Sequence, residues 1–171
     1  MSEEGIRAVI ENERASVGTV APDFELPALI GGVKKPLLLS AYRGQKNVVL
    51  AFYPHNWQEV SAKQLIGYQA ERPRVLASNT ETVAVTVDSI MNTTTWERAI
   101  GPFDFPICAD FWPHGEVCVR YGVLHNSGPD AGASARAVFV IDRDGRIAFR
   151  KTYGLKEVPL LEEIFPMLAK L

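Results

Sequence analysis

The side chains whose type and spacing could do chemistry are Ser61, Cys108 and Cys118, with His55 and His114 close in sequence to two of them. Ser61 stands where the apolar run Val48 to Tyr53 gives way, through Pro54, to the helical spacing of Val60, Leu65 and Ile66. A helix beginning at the carboxyl end of a buried strand presents unpaired N–H groups and a partial positive charge, the setting that best stabilises an anionic nucleophile. His55 beside Ser61 suggests a serine hydrolase, yet there is no G-x-S-x-G turn and no orienting acid, so that alternative is remote. His114 and Cys118, four apart, could share one face of a helix as metal ligands, but no third ligand accompanies them. His114 reads more simply as a helix-start residue, and no metal or cofactor is expected. Cys108 and Cys118 could pair or form a working thiol site. Cys118, flanked by Val117 and Val119, also reads as a small core residue, and buried inert thiols are the simpler reading.

The elements that must position these residues follow from pattern. Val48 to Tyr53 is an unbroken apolar run with β-branched and aromatic members, which predicts a strand covered on both faces. Ahead of it, Pro22 to Pro27 predicts an extended segment, Gly31 and Gly32 a turn, and Pro36 to Leu39 a short strand, with Tyr42 to Gly44 closing a loop. After it come a helix from near Val60 that Pro73 must kink or end, and a strand over Thr82 to Val87. A short helix over Thr93 to Ile100 and a strand over Phe105 to Cys108 follow, then a helix from Pro113 to Gly122. Asn126 to Ser134 reads as a loop, Ala137 to Ile141 and Ile147 to Arg150 as a hairpin around Asp-Arg-Asp-Gly, and Glu157 to Leu171 as a closing helix. Strands alternating with helices, then a hairpin and a covering helix, describe an α/β fold with a mixed central sheet flanked by helices.

Composition limits the partners. The chain has 171 residues, 47% of them hydrophobic, enough for a single domain with a sizeable core. A formal net charge of −2 and no run of five Lys or Arg give no long-range attraction for nucleic acid or anionic lipid. No signal-peptide core opens the chain and no stretch approaches the roughly 20 apolar residues of a membrane span, so a cytoplasmic protein is expected. Two cysteines are too few for a disulfide scaffold. Residues 1–16 read as an N-terminal extension, a short helix through Ile6, Val9 and Ile10 or a frayed tail, and 17–171 as the domain.

Several stretches together resemble the peroxiredoxins, the alkyl hydroperoxide reductase and thiol-specific antioxidant (AhpC/TSA) group. They are VGTVAPDFELP, VVLAFYP, TVDS, FPICADFWPHGEVCVRYGV and ARAVFVIDRDGRI, followed by the terminal segment, and they span roughly residues 17 to 171 in order. The FWPHG stretch is most similar to the one-cysteine branch. The resemblance implies a thioredoxin-like fold, a homodimer formed through loops around the site, and thiol-dependent reduction of hydroperoxides.

The family's pattern is a proline, a threonine or serine, the peroxidatic cysteine, an acid three positions later, and an arginine from a distant strand. By that resemblance Pro54 matches the proline and Arg136 the arginine. Gln58 stands at the threonine, Ser61 at the cysteine and Gln64 at the acid. An engineered Cys-to-Ser change at 61 in an active peroxiredoxin would account for Ser61 but not for Gln58 or Gln64, so natural divergence is favoured. A serine hydroxyl stays protonated where a cysteine would be a thiolate, and it cannot form a sulfenic acid. The expectation is therefore an antioxidant-type scaffold without peroxidase activity, holding a small anion or hydroperoxide-like ligand near Ser61 and Arg136, or a partner protein. The alternative is a thiol oxidoreductase using Cys108, Cys118 or both. Trp57, Trp96 and Trp112 with Phe52, Phe103 and Phe111 are expected to line a pocket or a subunit contact.

Overall fold

The computed structural model describes residues 15–171, and the expected helix or tail through Ile6, Val9 and Ile10 lies outside them. The chain runs β1 (Glu25–Ile30), β2 (Val33–Leu38), a 3₁₀ turn (Leu39–Tyr42), β3 (Asn47–Phe52), α1 (Glu59–Ala70), α2 (Arg72–Ala77) and β4 (Thr80–Thr86). It continues through α3 (Ile90–Ile100), β5 (Ile107–Ala109), α4 (Glu116–Arg120), β6 (Arg136–Ile141) and β7 (Ile147–Tyr153). A second 3₁₀ turn (Leu161–Glu163) and α5 (Phe165–Leu168) complete it. The seven strands form one mixed sheet in the order β2-β1-β5-β4-β3-β6-β7. Among the described residues no helix is long and apolar enough to cross a membrane.

β3, β4 and β5 run parallel to one another, so their carboxyl ends share one edge of the sheet. β6 pairs antiparallel with β3 and brings Arg136 to that same edge, one register step beyond the Phe52–Ala137 pair. Every residue of β3 is buried, as an apolar run in the middle of a sheet requires. Its side chains alternate: Val48, Leu50 and Phe52 join a core with Tyr121 and Phe139, while Val49, Ala51 and Tyr53 join the opposite core with Leu65, Trp96 and Phe105.

The expected boundaries shift in places for identifiable reasons. Pro73 does separate two helices, entering α2 within its first turn where a missing N–H does no harm. α3 starts at Ile90 instead of Thr93, because Ser89 caps it by accepting from the Asn92 N–H. Pro113 does not start a helix. It follows a cis bond from Trp112 in a turn, and α4 begins only at Glu116, where the Asp110 carboxylate accepts the N–H groups of Val117 and Cys118. The closing helix over Glu157 to Leu171 is also corrected. Pro159 and Pro166 interrupt it, leaving the second 3₁₀ turn and α5, with Leu161, Ile164 and Leu168 buried while Leu160 and Leu171 face solvent. The aromatic set divides in two: Trp96, Phe52 and Phe103 are core, whereas Trp57, Phe111 and Trp112 are exposed.

Candidate functional site

Pro54 lies just past the last ladder pair of β3 and is buried, turning the chain toward α1. Gln58 is the extended residue preceding that helix, and Ser61 is its third residue. Gln58 does not cap the backbone. Its Oε1 accepts instead from the Ser61 hydroxyl at 3.3 Å. Arg136 reaches in from the start of β6, and its Nη1 donates to Ser61 Oγ at 3.2 Å and to Gln64 Oε1 at 2.8 Å. Its Nε and Nη2 donate to the Leu155 carbonyl at 3.2 and 3.0 Å. Gln64 Nε2 then donates to Tyr68 Oη at 3.0 Å, which ties successive turns of α1 into one network.

This cluster is closed and uncharged apart from the guanidinium. Ser61 is 0% exposed, and Gln64, Tyr68 and Arg136 are each 1% exposed. Burial pulls Arg136 below the ordinary arginine value, opposed by Tyr68. Burial likewise pushes the Tyr68 phenol up, with Gln64 and Arg136 opposing it. Among the described residues each hydrogen-bond partner of the guanidinium is a neutral oxygen, so a buried cation sits here without a carboxylate bonded to it. In this arrangement Gln64 and Ser61 occupy Nη1 and Arg136 is 1% exposed, so the guanidinium faces protein oxygens.

The loop between β3 and α1 is fixed by residues that the sequence pattern did not single out. Asn56 is 3% exposed and acts as its hub. Its Oδ1 accepts from Tyr53 Oη at 2.7 Å, its Nδ2 donates to Asn92 Oδ1 and Thr93 Oγ1 on α3, and its N–H donates to Asp88 Oδ2 at 2.6 Å. Trp57 stands in the left-handed region at φ 66° and its indole N–H donates to Asn92. His55 pairs with Asp88 at 3.3 Å while Ser61 bonds to Gln58 and Arg136, so no serine–histidine arrangement forms.

The thiols lie elsewhere. Cys108 and Cys118 are free and buried, and burial beside Asp110 pushes both thiols up, away from the thiolate form. His114 precedes α4 and its Nε2 sits 2.7 Å from the Gly132 carbonyl, so it does not share a helix face with Cys118. Among the described residues no group of three His, Cys, Asp or Glu side chains could hold a metal ion. The one signal that could have pointed to Asp110 is its place shortly before the short helix it caps.

Comparison with known proteins bears on this arrangement. The sequence model of the AhpC/TSA family matches residues 17–150. The chain belongs to the peroxiredoxins. This peroxiredoxin is 34% identical over 134 residues to "Alkyl hydroperoxide reductase E" of Mycobacterium tuberculosis, covering 78% of this chain and 83% of that protein. It is also 34% identical over 137 residues to "Peroxiredoxin-2" of Mus musculus, covering 77% and 66% of the two chains. Among solved structures, the reduced 2-Cys peroxiredoxin of Plasmodium vivax superposes with a TM-score of 0.83 at 25% identity, over 90% of this chain and 80% of that one. The AhpC of Enterococcus faecalis gives 0.81 at 25% identity, over 90% of each. The thioredoxin-like fold is thus shared along nearly the whole described length.

Proposed function

We propose that this peroxiredoxin, with Ser61 at the peroxidatic position, lacks the thiol peroxidase activity of its relatives and keeps a binding or regulatory role. The observation that carries the reading is the closed contact of Arg136 with Ser61 Oγ and Gln64 Oε1 at the start of α1. A hydroperoxide is reduced when a thiolate attacks the peroxide oxygen and the cysteine becomes a sulfenic acid, chemistry that belongs to sulfur. The hydroxyl of Ser61 donates its proton to Gln58 and accepts from Arg136, a neutral alcohol on both counts. Gln64 in place of an acid leaves the cluster without the carboxylate that the family pattern carries there. By descent we place the chain beside the one-cysteine branch, with residues 17–171 as the domain and 1–16 as an extension. Exposed Trp57, Phe111 and Trp112 follow strands whose carboxyl ends share one sheet edge, which supports a homodimer formed through these loops.

Peroxide consumption with dithiothreitol as donor tests the reading. The expected result is no turnover above buffer for the unmodified chain and little for Ser61→Cys, because Gln58 still lacks the small hydroxyl that the family pattern carries. Full recovery by that single change would refute the proposal. Turnover in the unmodified chain that vanishes in Cys108→Ser or Cys118→Ser would favour the thiol oxidoreductase reading. The elevated, fully buried thiols argue against that outcome.

A further inference from the structure

Sulfur is unevenly exposed in this chain. Cys108 and Cys118 are each 0% exposed, and burial beside Asp110 keeps both thiols protonated. Met167 is half-buried on α5, whereas Met91, in the first turn of α3, is 63% exposed. A thioether reacts with peroxide without first losing a proton, so exposure decides which sulfur is reached. Among the described residues that sulfur is Met91 Sδ.

Its surroundings make the two sides of the sulfur unequal. Lys34, on β2, donates from Nζ to Met91 Sδ at 3.1 Å, bringing together residues 57 apart in sequence. Lys34 has no ion pair among the described residues, so its ammonium rests on a thioether, a weak acceptor. The backbone at 91 is fixed as well. Ser89 caps α3 through the Asn92 N–H, the Met91 carbonyl accepts from Thr95 Oγ1 at 3.2 Å, and Asn92 Oδ1 accepts from Asn56 and Trp57. A methionine side chain with three freely rotating bonds would offer both sulfur lone pairs equally. With one lone pair on the ammonium, the other remains for the oxidant.

We propose that Met91 is the residue of this chain that hydrogen peroxide oxidises, and that Lys34 sets the handedness of the product. The thioether sulfur gives an electron pair to one peroxide oxygen, and the S–O bond forms as the O–O bond breaks. The second oxygen leaves with both protons as water. Sulfur is oxidised by two electrons to the sulfoxide, and the peroxide is reduced by the same two. Reversal takes a methionine sulfoxide reductase, so the reaction is stoichiometric and adds no turnover to the dithiothreitol assay described above. It stands or falls separately from the reading of Ser61.

The full chain treated with hydrogen peroxide and followed by peptide mass spectrometry tests the proposal. Met91 should gain an oxygen about tenfold faster than Met167, with Cys108 and Cys118 unchanged over the same time. The Met91 peptide is then divided between the two stereospecific sulfoxide reductases, and the enzyme for one epimer should remove about nine-tenths of the oxygen. Lys34→Ala, at an exposed position, should leave Met91 reactive while the two reductases remove equal shares. Lys34→Arg keeps a donor and should restore the bias. Oxidation of Met167 or of either cysteine ahead of Met91, equal shares from the unmodified chain, or a bias unchanged in Lys34→Ala would each overturn the proposal.

Discussion

Gln64→Glu should stabilise the fold at neutral pH, and the effect can be worked from the geometry of Arg136. The guanidinium has already been desolvated, being 1% exposed, and its closest partner is Gln64 Oε1 at 2.8 Å. A glutamate there is isosteric and places a carboxylate at the same distance. Two unit charges about 3.5 Å apart attract by about 5 kcal/mol at an effective dielectric near 20. Burying the new carboxylate takes back several kcal/mol, although the existing cation and the Tyr68 hydroxyl, which can turn its proton toward the carboxylate, limit that loss. A net gain of about 1–3 kcal/mol results, in line with hydrogen bonds to charged groups. For a chain of this length that raises Tm by roughly 3–10 °C. The pH dependence follows from linkage. Beside Arg136 the carboxyl titrates below its unfolded value of about 4.3, so its contribution is complete above that value and disappears as pH falls through the lower folded value. Urea denaturation of parent and variant at neutral pH and near pH 3 measures the difference directly. A variant less stable than its parent at neutral pH, or a difference that does not change with pH, would refute the picture of a buried cation lacking its counter-charge.

Other perturbations probe the surroundings. Asn56→Ala removes the acceptor of the buried Tyr53 hydroxyl and the donor to Asn92 and Thr93, and should cost about 2–4 kcal/mol in denaturant titration. Cys108 and Cys118 should resist an aromatic disulfide reagent in the native protein and react only on unfolding, since burial holds both thiols protonated; fast native labelling would contradict this. All five tyrosines are pushed above their usual value of 10.0, Tyr42 and Tyr153 to about 12, mainly by burial. The unfolded chain therefore loses these protons first, and stability should be full below about pH 10 and fall as pH rises toward 12 and beyond. Tyrosinate absorbance in native protein and alkaline denaturation together check the sign.

What the sequence reveals depends on how local the determinant is. The Asn47–Phe52 strand and the turn at Pro54 are legible because an apolar run ended by proline has few other solutions. The terminal segment misleads for the opposite reason. Leu161, Ile164 and Leu168 keep a helical rhythm that their burial satisfies, yet Pro159 and Pro166 prevent a continuous helix. Pro113 reads as a helix start in isolation, while the actual start depends on Asp110 reaching forward to Val117 and Cys118. The contact of Arg136 with Ser61 spans 75 residues, and only the family resemblance pairs them in sequence. Asn56 is illegible in the same sense: besides Tyr53, its partners lie 32 to 37 residues away, Asp88 just ahead of α3 and Asn92 and Thr93 on it.

Gln58, Ser61 and Gln64 are physically consistent with one another. A thiolate beside Arg136 would supply a negative charge to the buried guanidinium, and an acid at 64 would supply another. With a serine and a glutamine there, neither charge exists, and the cation is held by carbonyl, hydroxyl and amide oxygens. Gln58 contributes an acceptor that fixes the serine proton, where a threonine hydroxyl would compete to donate. Gln64 serves twice, accepting from Arg136 and donating to Tyr68, which a carboxylate at that position cannot do. The cluster is thus satisfied in the absence of any reactive sulfur. Restoring sulfur alone would put a thiol into a network whose hydrogen bonds are already arranged around a neutral hydroxyl, and on the reading proposed above Ser61→Cys by itself recovers little turnover.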